Sequence, residues 1–188
     1  MKTLRTLLAG VALFSVATVM NAQMHTGAQI TTPNQGQTPW YANAGLAYGF
    51  DIEEFGLSLG GGYELPQVDG LRIGTEFIWY FMDDGGFRAA STDVDFWTWS
   101  AFAQYSFYQD QDWDVYALGG LMYSRLSLDF NDPVLGIRGS SSDSDLGLLL
   151  GVGAEYKVMD QGSIYADFKY NTGTYDQGVL SGGFRYFF

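Results

Sequence analysis

From Trp40 onward the chain alternates. Even positions read Trp40, Ala42, Ala44, Leu46, Tyr48 and Phe50, and odd positions read Tyr41, Asn43, Gly45, Ala47 and Gly49. One series is apolar and the other small or polar. A period of two sends successive side chains to opposite faces of an extended strand. The same alternation recurs seven more times, each time after a turn signal. Its apolar series are Phe55 to Tyr63, Leu71 to Phe81, Trp97 to Phe107, Val115 to Tyr123, Leu146 to Tyr156, Ile164 to Tyr170 and Leu180 to Phe188. Eight strands of about ten residues match the ~9–11 that a tilted strand needs to cross a bilayer.

Volume decides which face points outward. An eight-stranded barrel encloses a space just wide enough to be filled by side chains. It cannot hold Trp40, Trp79, Trp97, Trp99 and the Phe, Tyr and Leu of the same face together. The apolar series therefore faces lipid, and a soluble barrel with an apolar interior is excluded. The opposite face agrees, being rich in glycine (Gly45, Gly56, Gly60, Gly62, Gly74, Gly120, Gly151, Gly153, Gly183) with Ser58, Thr98, Ser100, Gln104 and Ser181. Aromatics such as Tyr48, Phe55, Tyr63, Tyr105, Tyr123 and Tyr156 lie near strand ends, where membrane girdles belong. Lipid also demands closure, because an unpaired backbone group finds no water there. The predicted fold is all-β: an eight-stranded antiparallel up-and-down transmembrane β-barrel.

Composition narrows the rest. The 188 residues include no cysteine, which removes disulfides, thiolate metal sites and a lipidated cysteine anchor. Nine basic against 21 acidic side chains give −12, so nucleic acid is not an expected partner, since phosphate binding needs a basic surface. Lys2 and Arg5 precede an apolar run from Leu7 to Met20 and a small residue at Ala22. That is the layout of a cleaved secretory signal, and the run is too short to span a bilayer. The expected organisation is signal peptide 1–22, flexible polar tail 23–37 and barrel 38–188.

Connection lengths support this picture. Links 66–70, 109–112 and 159–162 are short, as periplasmic turns should be, and the two longest links, 83–95 and 126–144, fall on the other end. Over residues 38–188 the chain resembles the small outer-membrane β-barrel family of Gram-negative bacteria, of the OmpA and OmpX transmembrane-domain type. The most specific element is the end, where Phe184, Tyr186 and Phe188 alternate and Phe188 is last. The resemblance implies that these three form the signal read by the outer-membrane assembly machinery, and that outer-membrane lipid and lipopolysaccharide surround the barrel.

The candidate site is the charge assigned to the lumen: Glu64, Arg72, Glu76, Asp114, Glu155, Lys157, Asp167, Lys169 and Arg185. Four positive and five negative groups can nearly neutralise one another, which a buried charge requires. Strand direction places Glu64, Arg72, Asp114, Lys157 and Arg185 toward the periplasmic end, with Glu76, Asp167 and Lys169 nearer mid-height. A salt-bridged plug is the expected role, and a narrow porin-like channel the alternative. Catalysis is not expected. Outer-membrane enzymes of this size use a histidine near the outer rim, whereas the one histidine here, His25, lies in the tail. Asp83, Asp84, Asp93 and Asp95 flank one long link, and Asp129, Asp132, Asp143 and Asp145 flank the other with Ser140, Ser141, Ser142 and Ser144. They are read as a solvated acidic rim in preference to a divalent-cation site bridging lipopolysaccharide phosphates. No cofactor and no metal are expected. A surface ligand, if any, would meet the links 83–95 and 126–144.

Overall fold

The computed structural model describes residues 39–81, 91–132, 137–173 and 176–188. The signal, the tail and His25 lie outside them. Eight strands follow in chain order: β1 (Trp40–Gly49), β2 (Glu54–Glu64), β3 (Leu71–Tyr80), β4 (Ser91–Gln109), β5 (Trp113–Asp132), β6 (Ile137–Met159), β7 (Gly162–Thr172) and β8 (Gln177–Phe187). Each pairs antiparallel with its neighbours, and β1 pairs with β8 to close the barrel. Closure satisfies the backbone of both terminal strands, which is what a lipid environment imposes.

The alternation sorts as expected. Trp40, Leu46, Phe55, Trp79, Leu121, Leu146 and Leu180 are all exposed on the barrel's exterior, Leu146 by 61%. An apolar surface of this extent is far beyond what a water-facing protein presents. Aromatic pairs gird both ends. Trp40 meets Tyr63 edge-on at 4.9 Å and Trp113 stacks on Tyr156 at 5.0 Å at the end that carries the termini. At the opposite end Tyr48 lies 4.9 Å from Phe55, and Trp97 lies 5.6 Å from both Phe77 and Tyr123.

At the end that carries the termini the connections are tight. Gly70 supplies the left-handed φ of 71° in the β2–β3 turn. In the β4–β5 turn the Asp110 carboxylate accepts N–H groups from Asp112 and Trp113, each at 2.9 Å. Those two donors, with the Tyr108 hydroxyl at 2.9 Å, hold its carboxyl below the usual carboxylate range.

The two long links are a correction. Residues 83–95 and 126–144 are not loops throughout, because β4, β5 and β6 run on for 19, 20 and 23 residues against 10 or 11 for the other five strands. Ser91 pairs with Asn131, and Asp132 with Ile137. The barrel thus carries a three-stranded extension at the end opposite the termini. Its inner face continues the lumen through Val94, Phe96, Leu126 and Leu128, whereas its outer face carries Asp95, Arg125, Ser142 and Ser144. The inner face mixes these apolar residues with Ser141 and Asp143, and the outer face is polar, as suits a sheet that has risen out of lipid.

The β1–β8 seam depends on two glycines that face each other. A Cβ added to Gly183 would lie 2.6 Å from the Gly45 Cα, and one added to Gly45 would lie 2.8 Å from the Gly183 Cα. Neither backbone can yield without opening the ladder. Gly183→Val is expected to destabilise the folded barrel by about 1–3 kcal/mol, the usual cost of overpacking. Urea unfolding followed by tryptophan fluorescence would show this as a lowered midpoint, and an unchanged midpoint would refute the seam argument.

Candidate functional site

The charges on the inner face are gathered in two groups. At the end near the termini Arg72 on β3 is the hub. Its Nε donates to Glu64 on β2 at 2.7 Å, Nη1 to Glu155 on β6 at 3.0 Å, and Nη2 lies 3.0 Å from Asp114 on β5. Arg185 on β8 donates to the same Glu155 oxygen through its Nη1, and Ser163 on β7 donates to the other. Five charged side chains and one hydroxyl therefore tie together six of the eight strands. The planar guanidinium makes this possible, because its forked donors reach several carboxylates at once.

Aromatic rings complete the group. The Arg185 guanidinium lies over Tyr41 at 4.7 Å, Tyr165 at 5.1 Å and Tyr116 at 5.8 Å, and Arg72 lies over Phe187 at 5.4 Å. Cations over ring faces gain most where water is excluded. Arg72 and Arg185 are only 7% and 3% exposed.

The second group sits at mid-height. Lys169 on β7 pairs with Glu76 on β3 across the lumen and with Asp167 at 3.1 Å. Ser58 on β2 donates to the other Glu76 oxygen at 2.6 Å, and the Tyr116 hydroxyl reaches Asp167 at 3.4 Å. Lys169 is 1% exposed. Removing a buried charge from water costs several kcal/mol unless a partner compensates, and here each buried charge has at least one.

The structure brings eight of the nine expected charges together in these two groups. Lys157 stands apart from them. It follows Glu155 toward the rim, where the β6–β7 register shifts between Lys157 and Met159, and its side chain is exposed. Among the described residues it makes no ion pair with any of the other eight. Without it the two groups contain three cations and five carboxylates.

Several lumen residues were not anticipated. Ala47, Ile78, Tyr80, Phe96 and Val179 form one buried apolar cluster at the extended end, with Ile52 and Leu126 packed against it. Tyr116, Leu118, Met122 and Leu149 form another, backed by Phe102. Their signal was their parity: each sits on the polar series of its strand, where an apolar side chain has to be inside. Phe184, Tyr186 and Phe188 lie on the lipid face, exposed by 38%, 38% and 52%.

A closed, even-stranded barrel with an apolar exterior and a buried, ion-paired interior is a transmembrane β-barrel. The chain belongs to the family of the outer membrane protein beta-barrel domain, whose model matches residues 6–188. It is an outer-membrane barrel of the type found in Gram-negative bacteria. No curated protein matches it in sequence. Among solved structures it is similar to Neisserial surface protein A, with 23% identity and a TM-score of 0.59 over 81% of this chain and 99% of that one. It is also similar to Ail, the attachment invasion locus protein of Yersinia pestis, with 17% identity and a TM-score of 0.58 over 80% and 99%. The N-terminal β-barrel domain of Pseudomonas aeruginosa OprF follows with 15% identity and a TM-score of 0.59 over 81% and 99%. Ail has also been solved in complex with the heparin analogue sucrose octasulfate. At these identities the likeness is one of fold.

Glu155 is the group on which both arginines converge, so its loss leaves two buried guanidinium groups short of a partner. Glu155→Leu is expected to cost about 3–5 kcal/mol, the range for breaking a buried pair from one side. The check is the urea unfolding midpoint of the vesicle-embedded protein. A cost under about 1 kcal/mol, typical of exposed pairs, would show that the network does not hold the barrel.

Proposed function

We propose that the chain is a non-enzymatic outer-membrane barrel with a structural or surface-interaction role, its lumen plugged by the charge network. One observation carries this reading. Arg72, Glu76, Glu155, Asp167, Lys169 and Arg185 are each no more than 7% exposed, whereas a water-filled path would wet the charges that line it. Interaction then falls to the β4–β6 extension. In this reading residues 1–22 direct export, 23–37 form a tail, Phe184, Tyr186 and Phe188 present the assembly signal, and lipopolysaccharide meets the outer girdle. A narrow channel is the second reading, favoured by the two carboxylates in excess over the lumen cations.

Planar-bilayer recording separates the two. The folded protein is expected to be electrically silent, and Arg72→Met with Arg185→Met is the variant pair that probes the plug. Reproducible cation-selective steps from the unmodified protein would overturn the plugged reading and put the channel first.

Charge also sets the class of surface partner. The extension carries Asp93, Asp95, Asp129, Asp132, Asp143 and Asp145 against Arg125 and Arg138. Like charges repel over about 8 Å at physiological salt, so a sulfated polyanion such as sucrose octasulfate is expected not to bind, and a cationic ligand is favoured. Saturable sucrose octasulfate binding by the vesicle-embedded protein at that salt would refute this.

A further inference from the structure

A four-residue connection lies at the outer mouth of the barrel. The β1–β2 turn, residues 50–53, does not simply cross the rim. Phe50 stays on the lipid side, 6.1 Å from the Phe168 ring, while Ile52 turns inward and packs on the cluster of Ala47, Ile78, Tyr80, Phe96 and Val179. Glu53 adopts a left-handed φ of 58°, which a non-glycine residue takes up only when its surroundings hold it there. Gly49 leaves the room, since an added Cβ would lie 2.7 Å from the Ile52 Cγ1.

A reciprocal latch holds the turn to β8. The Phe50 N–H donates to the Gly178 carbonyl at 2.9 Å, and the Gly178 N–H donates to the Asp51 carboxylate at 3.1 Å. Beneath the cluster the lumen becomes polar again, with Ser124 fully buried and without a hydrogen-bond partner, and the Lys169–Glu76 pair deeper still. The apolar layer and the turn seated on it therefore lie between the rim and a polar interior.

We propose that the β1–β2 turn is a built-in stopper of the outer mouth: Ile52, seated on the apolar layer and latched through Asp51 to Gly178, keeps water from the polar layer below. Release of the turn opens the mouth while the charge network at the other end stays in place. The inference goes beyond the plugged-lumen reading, because it assigns the outer seal to a different element and a different chemistry.

The chain has no cysteine, so a single introduced thiol reports cleanly. Ser124→Cys places it below the stopper, and Ser106→Cys places a second reporter near the opposite end. The folded full-length protein in phospholipid vesicles is treated with a charged maleimide, and folding of each variant is verified by its gel mobility before and after boiling. The Ser124→Cys thiol is expected to react slowly, and Ile52→Ser to raise its rate by about tenfold, as losing the packing of a partly buried Ile shifts a local opening equilibrium by about that much. Asp51→Asn, which breaks the latch and leaves Ile52 in place, should also accelerate it, and keeps the test decisive if Ile52→Ser does not fold. The Ser106→Cys thiol should be unaffected by either change. Rapid labelling at Ser124→Cys with Ile52 present, no acceleration in the variants, or equal acceleration at both reporters would overturn the proposal.

Discussion

Everything in this molecule follows from the requirement that no backbone N–H or carbonyl be left unpaired in lipid. With eight strands, β1 must find β8, and the circumference is then set. The enclosed space admits side chains and little else. Glycine opposite glycine at Gly45 and Gly183 lets the last seam close. Once the exterior has taken the bulky apolar residues, the interior has to be assembled from what remains, and a charge placed there can survive only beside its opposite.

That constraint explains why the interior is a network and not a set of isolated pairs. Arg72 and Glu155 are 83 residues apart in sequence, and Lys169 and Glu76 are 93 apart. Such contacts exist only once the barrel has closed, so the charges reward the complete topology and nothing short of it. The shared Glu155 oxygen couples β3 to β8 through β6.

The alternation made the strand number, the closed barrel and the outward face legible, because lipid enforces one apolar series without exception. It misled where lipid stops. In β4 the apolar series runs on odd positions through Trp97 and Trp99, then shifts to even positions at Phe96 and Val94. In β5 it shifts between Tyr123 and Leu126. Read as a break in pattern, the shift looks like the start of a loop. Physically it is the same strand leaving the membrane, its outer face now wet and Phe96 and Leu126 still packed on its inner face. Lys157 failed for a local reason, since parity put it on the inner series but at the end of the strand its side chain reaches solvent. The inward Ile52 had no periodic signal at all, being in a turn.

The two ends of the lumen are packed by opposite means, and the difference has a mechanical meaning. Near the termini the packing is directional, built from hydrogen-bonded ion pairs whose loss leaves buried charge exposed to a low-dielectric interior. At the extended end it is apolar packing against a short turn, which is non-directional and can open locally without uncovering a charge. A barrel held this way is stiff where its turns are tight and yields, if anywhere, at the mouth beneath the β4–β6 extension. In the proposed reading, surface contact and access to the interior converge on one end, while the end that carries the termini is left to hold the strands together.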